Sequence, residues 1–202
     1  YLGFIFLITD SAIIEKSSFN GSKTTNSVDV NRIDFLDRQE LEKSSSQISY
    51  AEAEKQFFEE RKISEKLYKK IENLPRETEI EEALFFLVKG DYLFGLNKFV
   101  FKDYLEAYEN AYRIGQKIKR KDIICKALYR ICNHYFNTQK NTPKLREYSE
   151  KYIKASYNEI ESFHGQYFST GVKMQQAFMN NKDFELKNLS NVITMARKIS
   201  NP

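Results

Sequence analysis

The sequence has few residues that interrupt helices. Its 202 residues include seven glycines, three prolines and no tryptophan. Glycine and proline are the residues that most destabilise a helix interior, so their scarcity allows long helices. Two cysteines and two histidines are too few for a disulfide-stabilised scaffold and offer little for a His/Cys metal cluster. The composition therefore favours a helical protein with a hydrophobic core of ordinary size.

The two cysteines are too far apart to bridge each other. Cys125 and Cys132 stand seven residues apart in a predicted helix. At about 1.5 Å per residue, they lie about 10 Å apart along the helix axis. A disulfide requires Cα atoms within about 7 Å. We therefore expect two buried thiols that pack as small hydrophobic residues.

Net charge and the N-terminal apolar run do not by themselves identify a binding partner. The formal net charge of +4 is too small to indicate nucleic-acid or membrane binding by itself. An apolar run occupies residues 1–8, whereas a membrane span needs about 20 residues. We interpret this run as the remainder of a targeting or membrane segment, followed by a flexible linker that ends at residue 31. A strand or helix packed on the domain, or an expression artefact, is the alternative.

Apolar residues recur every three to four positions and predict an all-α protein. A short helix is predicted at 32–43 and a long one at 49–73, with Ser44–Ser46 between them. Six helices of similar length are predicted after these, at 78–96, 100–118, 122–138, 143–160, 162–180 and 183–200. The turns between the six are short, Glu161–Ser162 among them, and short turns place neighbouring helices antiparallel.

Small residues recur inside these six helices with a period of about 40 residues. They form two series, Gly90, Cys132 and Gly171 in the first helix of each pair, and Gly115, Ala155 and Ala196 in the second. Where two helices of a hairpin cross closely, a bulky side chain would hold the backbones apart. A single hairpin cannot bury its apolar face alone, so the hairpins must stack. We therefore divide the chain into the segment 1–31, N-terminal helices that pack on the array at 32–76, and three hairpins at 77–202.

Large residues flank the first series at fixed intervals. Phe86, Leu128 and Tyr167 precede the small residues by four positions, and Leu93, Tyr135 and Met174 follow by three. This pattern resembles the tetratricopeptide repeat in a long-helix variant, and the middle pair matches it best. The resemblance implies an α-α superhelix of stacked antiparallel hairpins. It also implies a concave wall, built by the first helix of each pair, on which peptides or partner helices bind.

Long-helix variants of this family occur in bacterial regulators, some of them peptide-sensing and some membrane-tethered. The resemblance therefore implies the sensory or interaction region of a larger regulatory protein, cytoplasmic or membrane-tethered. We expect a protein, a peptide or another domain of the same polypeptide as the partner, and homodimerisation as a further mode. Since an array normally ends in a polar capping element, we also expect the native polypeptide to continue beyond Pro202.

The resemblance places a candidate ligand groove on the concave wall. Its residues are Leu87, Asp91, Phe94, Lys126, Tyr129, Asn133, Phe136, Phe168 and Gln175. Asn133 falls where the family often carries an Asn that binds a peptide backbone or carboxylate. Positions 87 and 168 are apolar, whereas a carboxylate clamp would need cations there, so we expect a mixed aromatic groove. The alternative is that flanking helices bury these residues.

No residues stand at the spacing of a catalytic or metal site. His134 and His164 are 30 residues apart, without Cys or carboxylate at metal-ligand spacing. We therefore predict a binding protein rather than an enzyme, with no catalytic residue, no metal and no cofactor. Two alternatives remain open: an enzyme that uses Cys132 or His134, and a nucleic-acid-binding α-solenoid. The basic run Lys117–Lys121 is the densest in the chain, and we interpret it as a solvated turn at a helix C-terminus.

Overall fold

The computed structural model describes residues 45–96, 101–138, 142–180 and 186–200. Within these ranges the chain forms eight α-helices and no strand, which confirms the predicted all-α class. The helices are α1 (Ser45–Glu60), α2 (Glu65–Glu72), α3 (Glu79–Leu96), α4 (Phe101–Lys117), α5 (Lys121–Thr138), α6 (Thr142–Ala155), α7 (Glu159–Met179) and α8 (Leu186–Ser200). The predicted linker up to residue 31 and the predicted helix at 32–43 lie outside the described residues.

The last six helices pack as three hairpins, α3/α4, α5/α6 and α7/α8. Ion pairs between the start of one helix and the end of the next, Glu79 with Lys117 and Glu159 with Lys198, are typical of antiparallel hairpins. The second helix of each hairpin contacts the first helix of the following one. The first helices also contact one another in the order α3, α5, α7. The hairpins are therefore stacked side by side, with α3, α5 and α7 as neighbours.

Contacts between successive hairpins repeat with the period of the sequence. Three hydrogen-bonded pairs are each separated by 39 residues and join corresponding helices: Asp91 with Arg130, Glu109 with Tyr148, and Phe136 with Gln175. When a hairpin stacks on a copy of itself, residues one repeat apart become neighbours. The small-residue period and the tertiary contacts therefore report the same repeat.

Glycines mark places where helices approach closely. A Cβ added to Gly90 would lie 2.3 Å from Cε1 of Tyr108, across the α3/α4 hairpin. A Cβ added to Gly171 would lie 2.3 Å from Cε2 of Phe136, on the first helix of the preceding hairpin. The first contact confirms the expected packing within a hairpin. The second differs from the expectation, because Gly171 serves the contact between hairpins.

Three predicted boundaries are wrong. The predicted helix at 49–73 is interrupted at residues 61–64, where Arg61 adopts a φ of 57° and Ile63 turns into the core. Ser45 and Ser46, expected in a break, belong to α1 instead. The turn between α6 and α7 lies at 156–158 rather than at Glu161–Ser162. The side chain of Asn158 accepts a hydrogen bond from the Glu161 N–H and caps the start of α7.

Two clusters of buried side chains form the core. One runs through all three hairpins and includes both cysteines, which are free thiols as predicted. The other joins α1, α2 and α3 around residues such as Phe57 and Ile71. Phe58 and Phe94 pack against both clusters. The N-terminal helices are thereby continuous with the hydrophobic core of the stacked hairpins.

Candidate binding face

The nine residues of the predicted groove all lie on the first helices of the hairpins, and we call their surface the first-helix face. Four of them are buried: Leu87, Asp91, Tyr129 and Phe168, each at most 6% exposed. The other five, Phe94, Lys126, Asn133, Phe136 and Gln175, are half-buried. These four residues lie in the protein interior. The predicted groove is therefore not open along the whole face, because part of it is covered.

Helix α1 covers the α3 and α5 part of the first-helix face. The Glu54 carboxylate lies 2.6 Å from the Lys126 ammonium, with both side chains about one-third exposed. The ring of Phe58 lies 6.3 Å from that of Tyr129, measured between centroids. The ring of Phe57 meets that of Phe94 edge-on at 6.0 Å. A helix from the same chain therefore lies where the sequence predicted a bound ligand.

A buried ion pair stands beneath this contact. The Arg130 guanidinium donates two hydrogen bonds of 2.7 Å to the two carboxylate oxygens of Asp91. The Tyr108 hydroxyl donates a third, of 2.8 Å, to the same carboxylate. The guanidinium carbon also lies 5.4 Å from the ring centre of Phe57 and 5.3 Å from that of Phe58. The network thus connects α1, α3, α4 and α5.

Burial and the opposite charge of the partner together shift the pKa values of Asp91 and Arg130. Desolvation raises the pKa of Asp91, and the neighbouring guanidinium of Arg130 opposes that shift. Desolvation by itself would lower the pKa of Arg130, but the charge and hydrogen bonds of Asp91 raise it overall. Arg130 therefore remains a cation within the core. A bidentate pair of this kind has a fixed geometry, so it fixes the position of α3 relative to α5.

The remaining face residues lie towards the C-terminal ends of α5 and α7. The Asn133 side-chain oxygen accepts a hydrogen bond of 2.9 Å from the Asn137 amide. The Gln175 side-chain oxygen accepts one of 3.1 Å from the Thr142 hydroxyl. Phe136 packs against Phe168 at 6.1 Å between ring centroids. Side-chain amides both donate and accept, so this region combines an aromatic surface with groups suited to a peptide backbone.

The two histidines and the two cysteines are buried among packed side chains. His134 Nδ1 lies 2.6 Å from the Tyr104 hydroxyl, in the core. His164 is enclosed by aromatic rings, with the Tyr129 ring at 4.8 Å. Burial raises the pKa of the Cys125 thiol to about 12 and that of Cys132 well above its ordinary value. An activated cysteine needs a lowered pKa, so both thiols are in the opposite environment.

The described residues form neither a metal cluster nor a membrane-spanning helix. In the ranges given above, no group of three or more His, Cys, Asp or Glu side chains is placed to hold a metal ion. None of the helices in the described part of the chain has the length and hydropathy of a membrane span.

Sequence reasoning missed the residues that hold α1 in place. Arg130 was not among the predicted face residues, and neither were Phe57 and Phe58. For Arg130 a signal existed, because it follows Asp91 by 39 residues, which is one repeat. For Phe57 the apolar spacing of the predicted helix at 49–73 indicated burial but not its partner, because the docking of α1 depends on contacts far apart in the sequence.

Comparison of the chain with protein-family models, with curated proteins and with solved structures found no match. The geometry of the first-helix face and its contacts therefore carries the functional conclusion.

Proposed function

We propose that this chain is a binding module of tetratricopeptide-like helical hairpins, which recognises a protein segment or peptide along the first-helix face. The supporting observation is α1, a helix that already lies on this face. It is held by aromatic contacts and by the pair between Glu54 and Lys126. Recognition of a helix by an aromatic groove is a common mode of protein binding. The resemblance described above suggests the sensory or interaction region of a larger regulatory protein.

The chemistry of the face favours a protein ligand. Phe136 offers apolar surface, and the amides of Asn133 and Gln175 stand at the same ends of α5 and α7. Aromatic contacts supply affinity, while amide groups can pair with the N–H and C=O groups of a bound segment. We propose this region as the part of the face that a partner reaches while α1 stays in place.

The contacts of the predicted basic run do not favour the alternative of nucleic-acid binding. In the predicted basic run, Lys117 pairs with Glu79 and Arg120 pairs with Asp122. Nucleic-acid binding relies on unneutralised cations that replace the counterions of phosphate. The interspersed carboxylates reduce that attraction at this turn.

Site-specific photo-crosslinking tests the proposed function. A photoreactive amino acid is placed at Asn133 or Gln175 in the full chain, inside the cells that make it. Matched controls carry it at Arg113 on α4 or Glu150 on α6, both of which are exposed. We expect a defined protein adduct from the two face positions and none from the controls. Equal adducts from all four positions, nucleic-acid adducts, or no adduct from the face would contradict the proposal.

A further inference from the structure

We infer that α1 can leave its own hairpins and occupy the same site on a second copy of this chain, which gives a dimer with exchanged α1 helices. The inference concerns contacts within this chain and does not depend on which external partner the first-helix face binds. Three observations carry it: a strained connection after α1, a sequence that also suits a straight connection, and a docking site with charge complementarity.

The connection between α1 and α2 is short and strained. It comprises residues 61–64. The backbone of Arg61 has a φ of 57°, in the left-handed region that residues other than glycine rarely adopt. The bend also depends on the Ser64 N–H, which donates a hydrogen bond of 2.8 Å to the Gln56 side chain. A straight conformation would remove the unfavourable φ of Arg61. Short strained hinges of this kind favour exchange between copies.

The sequence also suits the straight conformation. Residues 45–72 contain neither glycine nor proline, and their apolar spacing predicts one continuous helix across the bend. Local propensity therefore opposes the bend, and tertiary contacts maintain it. One such interaction is the burial of the Ile63 side chain, which is 5% exposed. The two conformations of the hinge thus differ chiefly in where α1 docks.

A released α1 needs a site with the same chemistry. It buries Tyr50, Ala53 and Phe57 in its docked position, so its apolar face is unfavourable in water. It also presents Glu54, whose complement is Lys126 on α5. The surface that meets all of these requirements is the one that α1 leaves. In an exchanged dimer each copy supplies one helix and opens one site, so the assembly closes with two-fold symmetry.

A charge-reversal mixing experiment on the full chain tests the exchange. In Glu54→Lys alone and in Lys126→Glu alone, the two facing charges are alike, in the monomer and in an exchanged homodimer. In an exchanged heterodimer of the two variants, both sites pair opposite charges. Because the pair is partly exposed, each variant is expected to fold. We expect wild type to dimerise with increasing concentration. In the mixture, native mass spectrometry should give a heterodimer-to-homodimer ratio about tenfold above the statistical one.

Two controls separate exchange from other association. The double variant Glu54→Lys/Lys126→Glu restores the pair within one chain and should dimerise as wild type does. A mixture of Glu159→Lys with Lys198→Glu alters a pair between α7 and α8 that exchange leaves in one chain. This mixture should give the statistical ratio. Enrichment in it equal to that of the first mixture would overturn the inference.

A hinge variant tests the role of strain. Glycine accepts the φ of Arg61 and disfavours a continuous helix, so Arg61→Gly should lower the dimer association constant by about fivefold for each hinge. The inference is overturned if wild type stays monomeric at millimolar concentration, if the charge-reversed mixture gives only the statistical ratio, or if Arg61→Gly dimerises as strongly as wild type.

Discussion

Removal of the Arg130 charge should destabilise the protein strongly. Arg130 and Asp91 are 3% and 1% exposed, and they are joined by two hydrogen bonds of 2.7 Å. Arg130→Met would leave the Asp91 carboxylate buried with only the Tyr108 hydroxyl as a partner. Breaking one side of a buried ion pair costs about 3–5 kcal/mol. The total free energy of unfolding of a domain is about 5–15 kcal/mol. The variant should therefore be close to unfolding at room temperature.

Replacement of all three residues of the buried network should lower the free energy of unfolding far less than Arg130→Met does. The triple variant Asp91→Leu/Arg130→Met/Tyr108→Phe leaves no buried charge and no unmatched hydroxyl. Apolar replacements of buried ion pairs are often neutral or stabilising, so we expect a free energy of unfolding within about 1 kcal/mol of wild type. The matched control is Lys117→Met, which removes an exposed ion pair to Glu79 and should change stability by less than about 1 kcal/mol.

Urea unfolding followed by circular dichroism at 222 nm measures these differences. Equal slopes of free energy against urea would show that the variants unfold the same core. A cost below about 1 kcal/mol for Arg130→Met would refute the argument that an unpaired buried charge dominates. A triple variant as unstable as Arg130→Met would also refute it, because the cost would then come from packing.

Three further predictions concern packing and ionisation. Gly171→Ala places a Cβ against the Phe136 ring, and it should lower the free energy of unfolding by about 1–3 kcal/mol in urea. A solvent-facing Gln166→Ala on the same helix should change it by less than about 0.5 kcal/mol. Cys125 and Cys132 should resist a disulfide reagent in the native chain and react only at the rate of unfolding, whereas rapid native labelling would contradict their burial. Burial raises the pKa of Tyr104 from 10.0 to about 12, so its protonated form stabilises the fold below pH 10 and that stability is lost as the pH rises towards 12. Alkaline titration at 295 nm should show tyrosine ionisation together with unfolding, and a Tyr104→Phe chain should lose less stability over this pH range.

The sequence predicts the helices of the array well because their signals are local. The start of α3 is an example, since Thr78 and Glu81 exchange side-chain-to-backbone hydrogen bonds in a capping box. The start of α7 could also have been read from Asn158, which caps it in the same way. The bend at Arg61 could not, because no local signal opposes a continuous helix there. It exists because Ile63 and α1 find partners in distant parts of the chain.

The candidate face was predictable in position but not in exposure. The repeat placed all nine residues on α3, α5 and α7, because periodicity assigns positions to a helix face. It did not show that Tyr129 would be covered by Phe58, or that Asp91 would meet Arg130 in the core. The burial of Tyr129 depends on where α1 docks, and α1 lies outside the repeat, so the periodicity of the hairpins does not predict its contacts. The 39-residue spacing of Asp91 and Arg130, which Phe136 and Gln175 share, is a clue that the repeat itself offered.

The proposed function rests on the contact between α1 and the α3 and α5 part of the first-helix face. Hydrogen–deuterium exchange of the full chain, read segment by segment, tests this most directly. In wild type, the amides of α1 should be protected to an extent similar to those of α3. Glu54→Lys should speed exchange in α1 about fivefold, and Glu54→Lys/Lys126→Glu should restore it. Equal exchange of α1 in all three proteins, or an α1 that exchanges in wild type as fast as an unfolded peptide, would contradict the claim.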